Sequence, residues 1–495
     1  MKTKTIRAIA LTGGMLALQM GAYLLAVREI LSSVGPEAFG TFQLMRQIAS
    51  VAAPVLLLGV NAALVYRLAH GEGDARRQSL STAAGALVVV ASAALLLALI
   101  LVRPEWPGAL LLSQRHAAAS ASLLGIVGAV MLYTYTYAIY LGLQRFALAS
   151  ALQALCFGVV PLVCVALFLG GGIYALTNAI AASILVITGL LLLPVLASTG
   201  RQLPRGWAAL GPELSFLSRY GRSRMFIPLL LGIMVAAGPI ALSHLGRGED
   251  AGTYLVALAM FRAIDPALTA VAVVMLPTLS VNDAHTPGRI AEYARLLLHF
   301  TLGVGVFLAM LGGLLASWVS EVLFGIHHHD IAAPFRLLLF GLPFSMFFLL
   351  AQPLVDATTS RGVTVRALLA GFLVNAAGVG AALAWAPHSS VIAGVLAAAY
   401  VVSALWIGRY VVRRTGIGYP FVELVKVAGT CAAVGLACLP VLENESRWMG
   451  AVVLVCAPLA YWLLSRLCRA QWCVKLEAVL LAPRQPDADG RVAAG

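Results

Sequence analysis

"LSSVGPEAFGTF", Leu31 to Phe42, returns in altered form 211 to 212 residues later as "LSHLGRGEDAGTY", Leu242 to Tyr254. Each copy begins with Leu-Ser, passes through a Gly-containing turn and ends in Gly-Thr-aromatic. Two more pairs follow in the same order. "LQRFALASALQA" at Leu143 matches "TSRGVTVRALLA" at Thr359, 216 residues on, and "GIYALTNAIAAS" at Gly172 matches "SVIAGVLAAAY" at Ser390, 218 on. A shared order with a slowly drifting offset is the mark of a duplicated structural unit.

What surrounds these turns fixes the medium. The 495 residues are 61% hydrophobic and 11% charged, with a mean hydropathy of +0.94, so the chain cannot present a polar surface to water. A bilayer crossing takes roughly 20 apolar residues, and about 14 such stretches lie between Gly, Pro and charge clusters. Their cores are 8–31, 42–68, 80–102, 117–143, 147–169, 173–197, 223–245, 253–279, 293–318, 331–357, 363–386, 390–412, 421–441 and 448–468. The expected fold is an all-α polytopic membrane protein. Six spans, an even number, separate the repeated turns, so the copies keep one orientation: two parallel six-helix lobes with two C-terminal helices appended. The expected divisions are an N-terminal lobe, 1–200; a cytoplasmic linker, 201–222; a C-terminal lobe, 223–414; two further spans, 415–470; and a cytoplasmic tail, 471–495. The first span follows Lys2, Lys4 and Arg7 like a signal peptide, but its apolar run is too long for one and it reads as retained.

Basic residues orient the bundle, because short cytoplasmic loops keep an excess of Lys and Arg. With both termini inside, 25 of the 33 fall on inner segments, so the net charge of +13 is mainly a topology signal and not a nucleic-acid footprint. The seven cysteines lie in spans or the inner tail, which leaves no outer disulfide. Enzyme signatures are missing: no Walker A loop, HExxH, CxxC or GxSxG occurs, and no long outer loop offers a catalytic domain. His327, His328 and His329 with Asp330 are the one metal-like cluster. Adjacent histidines cannot converge on one ion, so it reads as a solvated loop, and no metal or cofactor is expected.

The charges inside spans are the informative ones. A buried cation should face water or a partner, and an intramembrane ion pair is a functional-site candidate by default. Gln43, Arg46, Gln47 and Ser50 share one helical face, a polar stripe suited to a lumen; snorkelling is the competing reading for Arg46, expected about 9 Å inside its span. Arg262 lies deeper, about 15 Å below Gly252, with Asp265 one turn on. Arg28, Glu29 and Arg336 sit nearer the outer surface. In span 4, Tyr133, Tyr137, Tyr140 and Gln144 form a stripe that would suit sugar rings, or else helix packing.

"REILSSVGPEAFGTF", followed by "LLLGVNAALVYRLA" at the end of span 2, resembles the polysaccharide transporters of the multidrug/oligosaccharidyl-lipid/polysaccharide (MOP) exporter superfamily, over nearly the whole chain. The O-antigen and exopolysaccharide flippases are the most similar in loop pattern. The resemblance implies 12 to 14 spans in two lobes and transfer of undecaprenyl-pyrophosphate-linked oligosaccharide from the cytoplasmic to the outer leaflet of a bacterial inner membrane. It also implies partnership with a polysaccharide polymerase and a chain-length regulator. By position, the arginines of the superfamily's lipid II flippase map onto Arg28 with Glu29, Arg46 and Arg262; the acid of the first pair is here Glu, not Asp. The arginines would hold the pyrophosphate, because a guanidinium meets phosphate oxygens bidentately. Glu29 and Asp265 would temper that grip or take part in coupling, in an alternating-access cycle. Two rivals share the field: a cation-coupled multidrug exporter of the same superfamily, which should have an acid-rich cavity, and a membrane polymerase or glycosyltransferase, which should have a catalytic outer loop.

Overall fold

The computed structural model describes residues 2–69, 75–112, 114, 116–202, 210–265, 268, 287–324, 330–358, 362–418, 421–442, 447–470 and 473. Those residues are almost entirely helical, and no strand occurs among them. Each expected span falls on helix, the eighth as far as it is described. His327 to His329 lie outside the described residues, as does most of the expected tail.

Among the described residues, ten helices are long and apolar enough to cross a bilayer, or up to eleven if one bent pair is joined. Two of them are too long for one crossing. Gly13–Leu56 is 44 residues and Phe146–Thr199 is 54, about 66 and 81 Å of helix against a hydrocarbon core of about 30 Å. Each is broken by a glycine in a conformation that side chains avoid: Gly35 at φ 78, ψ 175 and Gly172 at φ 86, ψ 174. The first helix, α1 (Lys2–Leu56), is therefore two crossings joined at Gly35, with Pro36 opening the second, where its missing N–H costs nothing. That start is earlier than the sequence suggests and places Arg46 deeper, about 16 Å past the turn instead of about 9 Å.

The rest of the first lobe is α2 (Val60–Ala69), α3 (Ala75–Val102), α4 (Trp106–Leu112), α5 (Ala117–Gly142), α6 (Phe146–Ala154) continuing through a π turn into α7 (Val160–Phe168), and α8 (Gly172–Gln202). These pack chiefly around α1 and α5. The second lobe has α9 (Leu210–His244), α10 (Gly248–Phe261), α11 (Pro287–Phe300), α12 (Val306–Phe324), α13 (Ala332–Phe340), α14 (Leu342–Thr358), α15 (Val363–Trp385) and α16 (Ser389–Thr415). Helix α13 meets Leu342–Gln352 of α14 at a bend of 48°. The last two, α17 (Phe421–Leu442) and α18 (Arg447–Leu467), form a separate apolar cluster with α12, in which Phe307 stacks on Tyr461 at 4.1 Å.

The lobes meet where α1 packs on α10 and α9, and where α2 and α3 pack on α9. The repeated motif makes the first of these contacts. A Cβ on Gly40 would lie 2.7 Å from Cα of Gly252, and one on Gly252 would lie 2.6 Å from the carbonyl carbon of Pro36. The glycine of each Gly-Thr-aromatic copy thus touches the other copy's backbone. At the opposite end of the bundle, Gly59 meets Gly221, with a Cβ on Gly59 falling 2.7 Å from the Gly221 carbonyl carbon.

Candidate functional site

Helix α10 decides where a lumen can begin. Every residue from Ala251 to Phe261 is buried, so the expected outer half of the lobe junction is filled. At Arg262 the helix tightens into a short 3-10 turn and exposure resumes. Arg262 follows 14 helical residues, about 21 Å of rise from the start of α10. Its side chain keeps 40% of its accessible surface and that of Asp265 keeps 26%.

The guanidinium bridges the two lobes. Nε donates to Asp265 Oδ2 at 2.9 Å, and Nη1 donates to Oε1 of Gln47, a buried α1 residue, at 3.2 Å. One turn before Gln47, Gln43 accepts a hydrogen bond from the Tyr23 hydroxyl at 2.8 Å. The Arg46 guanidinium lies over the Tyr23 ring at 4.5 Å and over the Phe42 ring at 5.6 Å. Two ring faces favour a cation without neutralising it. Arg46 Nη1 is buried with no hydrogen-bond partner among the described residues. An N–H removed from water and left unpaired costs about 1–3 kcal/mol, more for a charged group, and any anionic oxygen reaching it would remove that cost. Tyr400 of α16, ring to ring with Phe261 at 6.0 Å, lies within electrostatic reach of Arg262.

Of the residues singled out by sequence, the structure brings together Gln43, Arg46, Gln47, Arg262 and Asp265. Arg28 and Glu29 are exposed, about 10 Å before the Gly35 turn. Arg336 is held elsewhere: Nε donates to the Gly313 carbonyl at 3.2 Å and Nη2 to Ser317 Oγ at 2.9 Å, both on α12. The tyrosine stripe is divided. Tyr133 stacks with Tyr137 at 5.6 Å and meets Phe157 edge-on at 4.6 Å, while the Tyr140 hydroxyl donates to the Leu191 carbonyl on α8. Gln144 is exposed in the turn after α5, at φ 58. Tyr23 is the member that sequence reasoning missed. It sits 20 residues before Gln43 on the other limb of α1, and only the Gly35 turn brings the two face to face.

A cavity of about 240 Å³ opens at the expected outer end of the junction, between Glu37, Thr41 and Gln114 of the first lobe and Ser243, Gly248 and Ala251 of the second. Near it, Arg247 donates to the Pro387 carbonyl at 2.9 Å and pairs with Asp250 at 3.5 Å, tying the α9–α10 turn to the start of α16.

No protein-family profile matches the sequence, and no curated protein matches it significantly. Solved structures do match the fold. The lipid II flippase MurJ in an inward closed conformation superposes with a TM-score of 0.70, over 96% of this chain and all of that one, at 14% identity. An inward-facing multidrug resistance MATE transporter of the MOP superfamily gives 0.61 over 81% of this chain and 96% of its own, at 16% identity. A mutant form of the Vibrio cholerae MATE transporter VcmN gives 0.53 over 82% and 98%, also at 16%. The chain shares the all-α, multi-pass membrane fold of these solved transporters, as the resemblance carried by "REILSSVGPEAFGTF" implied.

Proposed function

We propose that the chain is a flippase that moves undecaprenyl-pyrophosphate-linked oligosaccharide from the cytoplasmic to the outer leaflet of a bacterial inner membrane, for O-antigen or exopolysaccharide assembly. The observation that carries this reading is Arg46: a guanidinium over two aromatic rings, with one N–H buried and unpartnered, beside the Gln47 that Arg262 of the other lobe grips. That one N–H lacks an acceptor, and a phosphate oxygen supplies one. Arg262 is already matched by Asp265, so it would share its remaining donors with the head group while the carboxylate limits the hold. The polyprenyl tail would stay in lipid, and the termini and the basic loops would face the cytoplasm.

In a strain lacking the protein, lipid-linked repeat units should still be made and should accumulate in the cytoplasmic leaflet; reconstituted protein should restore their passage across vesicles. Purified protein that extended or transferred sugars by itself would overturn the reading. A cation-coupled drug exporter of the same fold is favoured by one feature, the Asp265 carboxylate in the lumen. It predicts cation-dependent efflux of lipophilic cations and no passage of lipid-linked glycan.

A further inference from the structure

The polar contacts at the Gly59–Gly221 end of the lobe junction exceed what a packing contact needs. Arg67, on the last turn of α2, holds Glu213 of α9 bidentately, Nε to Oε1 at 2.7 Å and Nη2 to Oε2 at 2.9 Å. Ser81 of α3 donates to the same Oε1 at 2.6 Å. The pair is largely withdrawn from water, with the side chains 18% and 8% exposed. Arg67 also lies over the Phe216 ring at 4.2 Å, Tyr66 stacks on Tyr220 at 4.8 Å, and the Arg224 guanidinium lies over the Tyr220 ring at 4.9 Å. Together these fasten α2 and α3 of the first lobe to the first half of α9.

The other half of α9 belongs to the second lobe. Asn375 of α15 donates to the Met234 carbonyl, and a Cβ on Gly238 would strike Ile392 of α16. One helix is therefore fastened to both lobes, by a fixed apolar seam at one end and by a charged, hydrogen-bonded clasp at the other. The clasp lies beyond Arg46 along α1 and α2, at the end of the junction that carries Arg67. We infer that this clasp is a releasable latch that closes the lumen at that end, Glu213 being its catch. Bidentate geometry suits a two-state device, because such a pair is strong when aligned and is exchanged for water when the helices part.

The inference rests on the transport reading only in its flux arm. In full-length protein whose native cysteines are replaced, Ser50→Cys, on the polar face of α1 and exposed, reports access to the lumen. Membrane vesicles of both orientations are treated with an impermeant maleimide, so that labelling from the face carrying Arg67 is read separately. Glu213→Gln should raise that labelling rate at least about fivefold, with Glu213→Asp falling between. A Tyr66→Cys/Tyr220→Cys pair, bridged by a short thiol-reactive cross-linker, should bring the rate to background, and reductant should restore it. The bridge needs no effect on folding to be informative, so it decides the matter if Glu213→Gln is unstable. The latch is overturned if the pair does not bridge in the native membrane, or if bridging leaves the labelling rate unchanged. If bridging seals the lumen but the unbridged protein moves no lipid-linked glycan, the latch stands and the cargo reading falls.

Discussion

At the scale of the residue, depth and partners separate four arginines that look alike in the sequence. Arg262 and Arg46 both lie by Tyr23 and Gln47 at the lobe junction, whereas Arg336 is satisfied by α12 and Arg28 is exposed. Losing a charge-assisted contact to phosphate is worth about 1.5–3 kcal/mol, roughly ten- to a hundredfold. Arg262→Ala should lower flipping by that amount and Arg28→Ala or Arg336→Ala by much less, in a vesicle assay corrected for protein level. Arg262→Ala strands Asp265, so Arg262→Ala/Asp265→Ala is the control: normal expression with wild-type flipping would make the pair structural. Tyr23→Leu removes the ring beneath Arg46, a loss of about 0.5–2 kcal/mol, while Tyr23→Phe keeps the ring and loses only the hydroxyl's bonds to Gln43 and Arg46. Activity that falls in Leu and survives in Phe would identify the ring as the support for Arg46. Charge was legible in the sequence because any Arg in a span stands out. Tyr23 was not, because one aromatic in an apolar helix carries no such mark, and neither were the partners of Arg336, which lie on another helix.

At the scale of the element, close approach of backbones governs. A Cβ at Gly252 meets the Pro36 carbonyl, which cannot rotate away as a side chain can. Gly252→Ala and Gly40→Ala should each destabilise by about 1–3 kcal/mol, read as a lower thermal midpoint in detergent. The double variant should cost less than the sum, because both press on one contact. Gly380→Ala and Gly394→Ala, where the added methyl meets open space, should leave the midpoint unchanged. The Gly-Thr-aromatic repeat was legible as a pair of turns on one face; that the two would touch was not. Nothing announced the second junction: Gly59 and Gly221 belong to no shared motif, and their meeting depends on the break at Leu58–Gly59, both at positive φ. The tyrosine stripe shows the same limit from the other side. Its helical spacing was readable, but which neighbours would face it was not.

At the scale of the whole molecule, orientation and pH can be tested together. Cysteines at Ser32 and Leu245 should label from the same side of the membrane, and from the side opposite Arg76; labelling from opposite sides would break the parallel-lobe arrangement. Burial alone would raise the Glu213 carboxyl, but hydrogen bonds from Arg67 and Ser81 and the charges of Arg67 and Arg77 outweigh it and hold the carboxyl below its ordinary value. A lowered pKa contributes stability above the unfolded value of about 4.3, lost as pH falls through the lower folded value. The gap in thermal midpoint between wild type and Glu213→Gln should thus be constant from neutral pH to about 5 and close below about 4. The Gly40–Gly252 contact carries a further geometric consequence. Were the two lobes related by a two-fold rotation, as the repeated turns imply, the axis would run through or beside these two glycines, because equivalent points coincide only on the rotation axis. Backbone closes the junction at that level, and a bulky head group moving along it would have to part the two halves or leave sideways, through a wall.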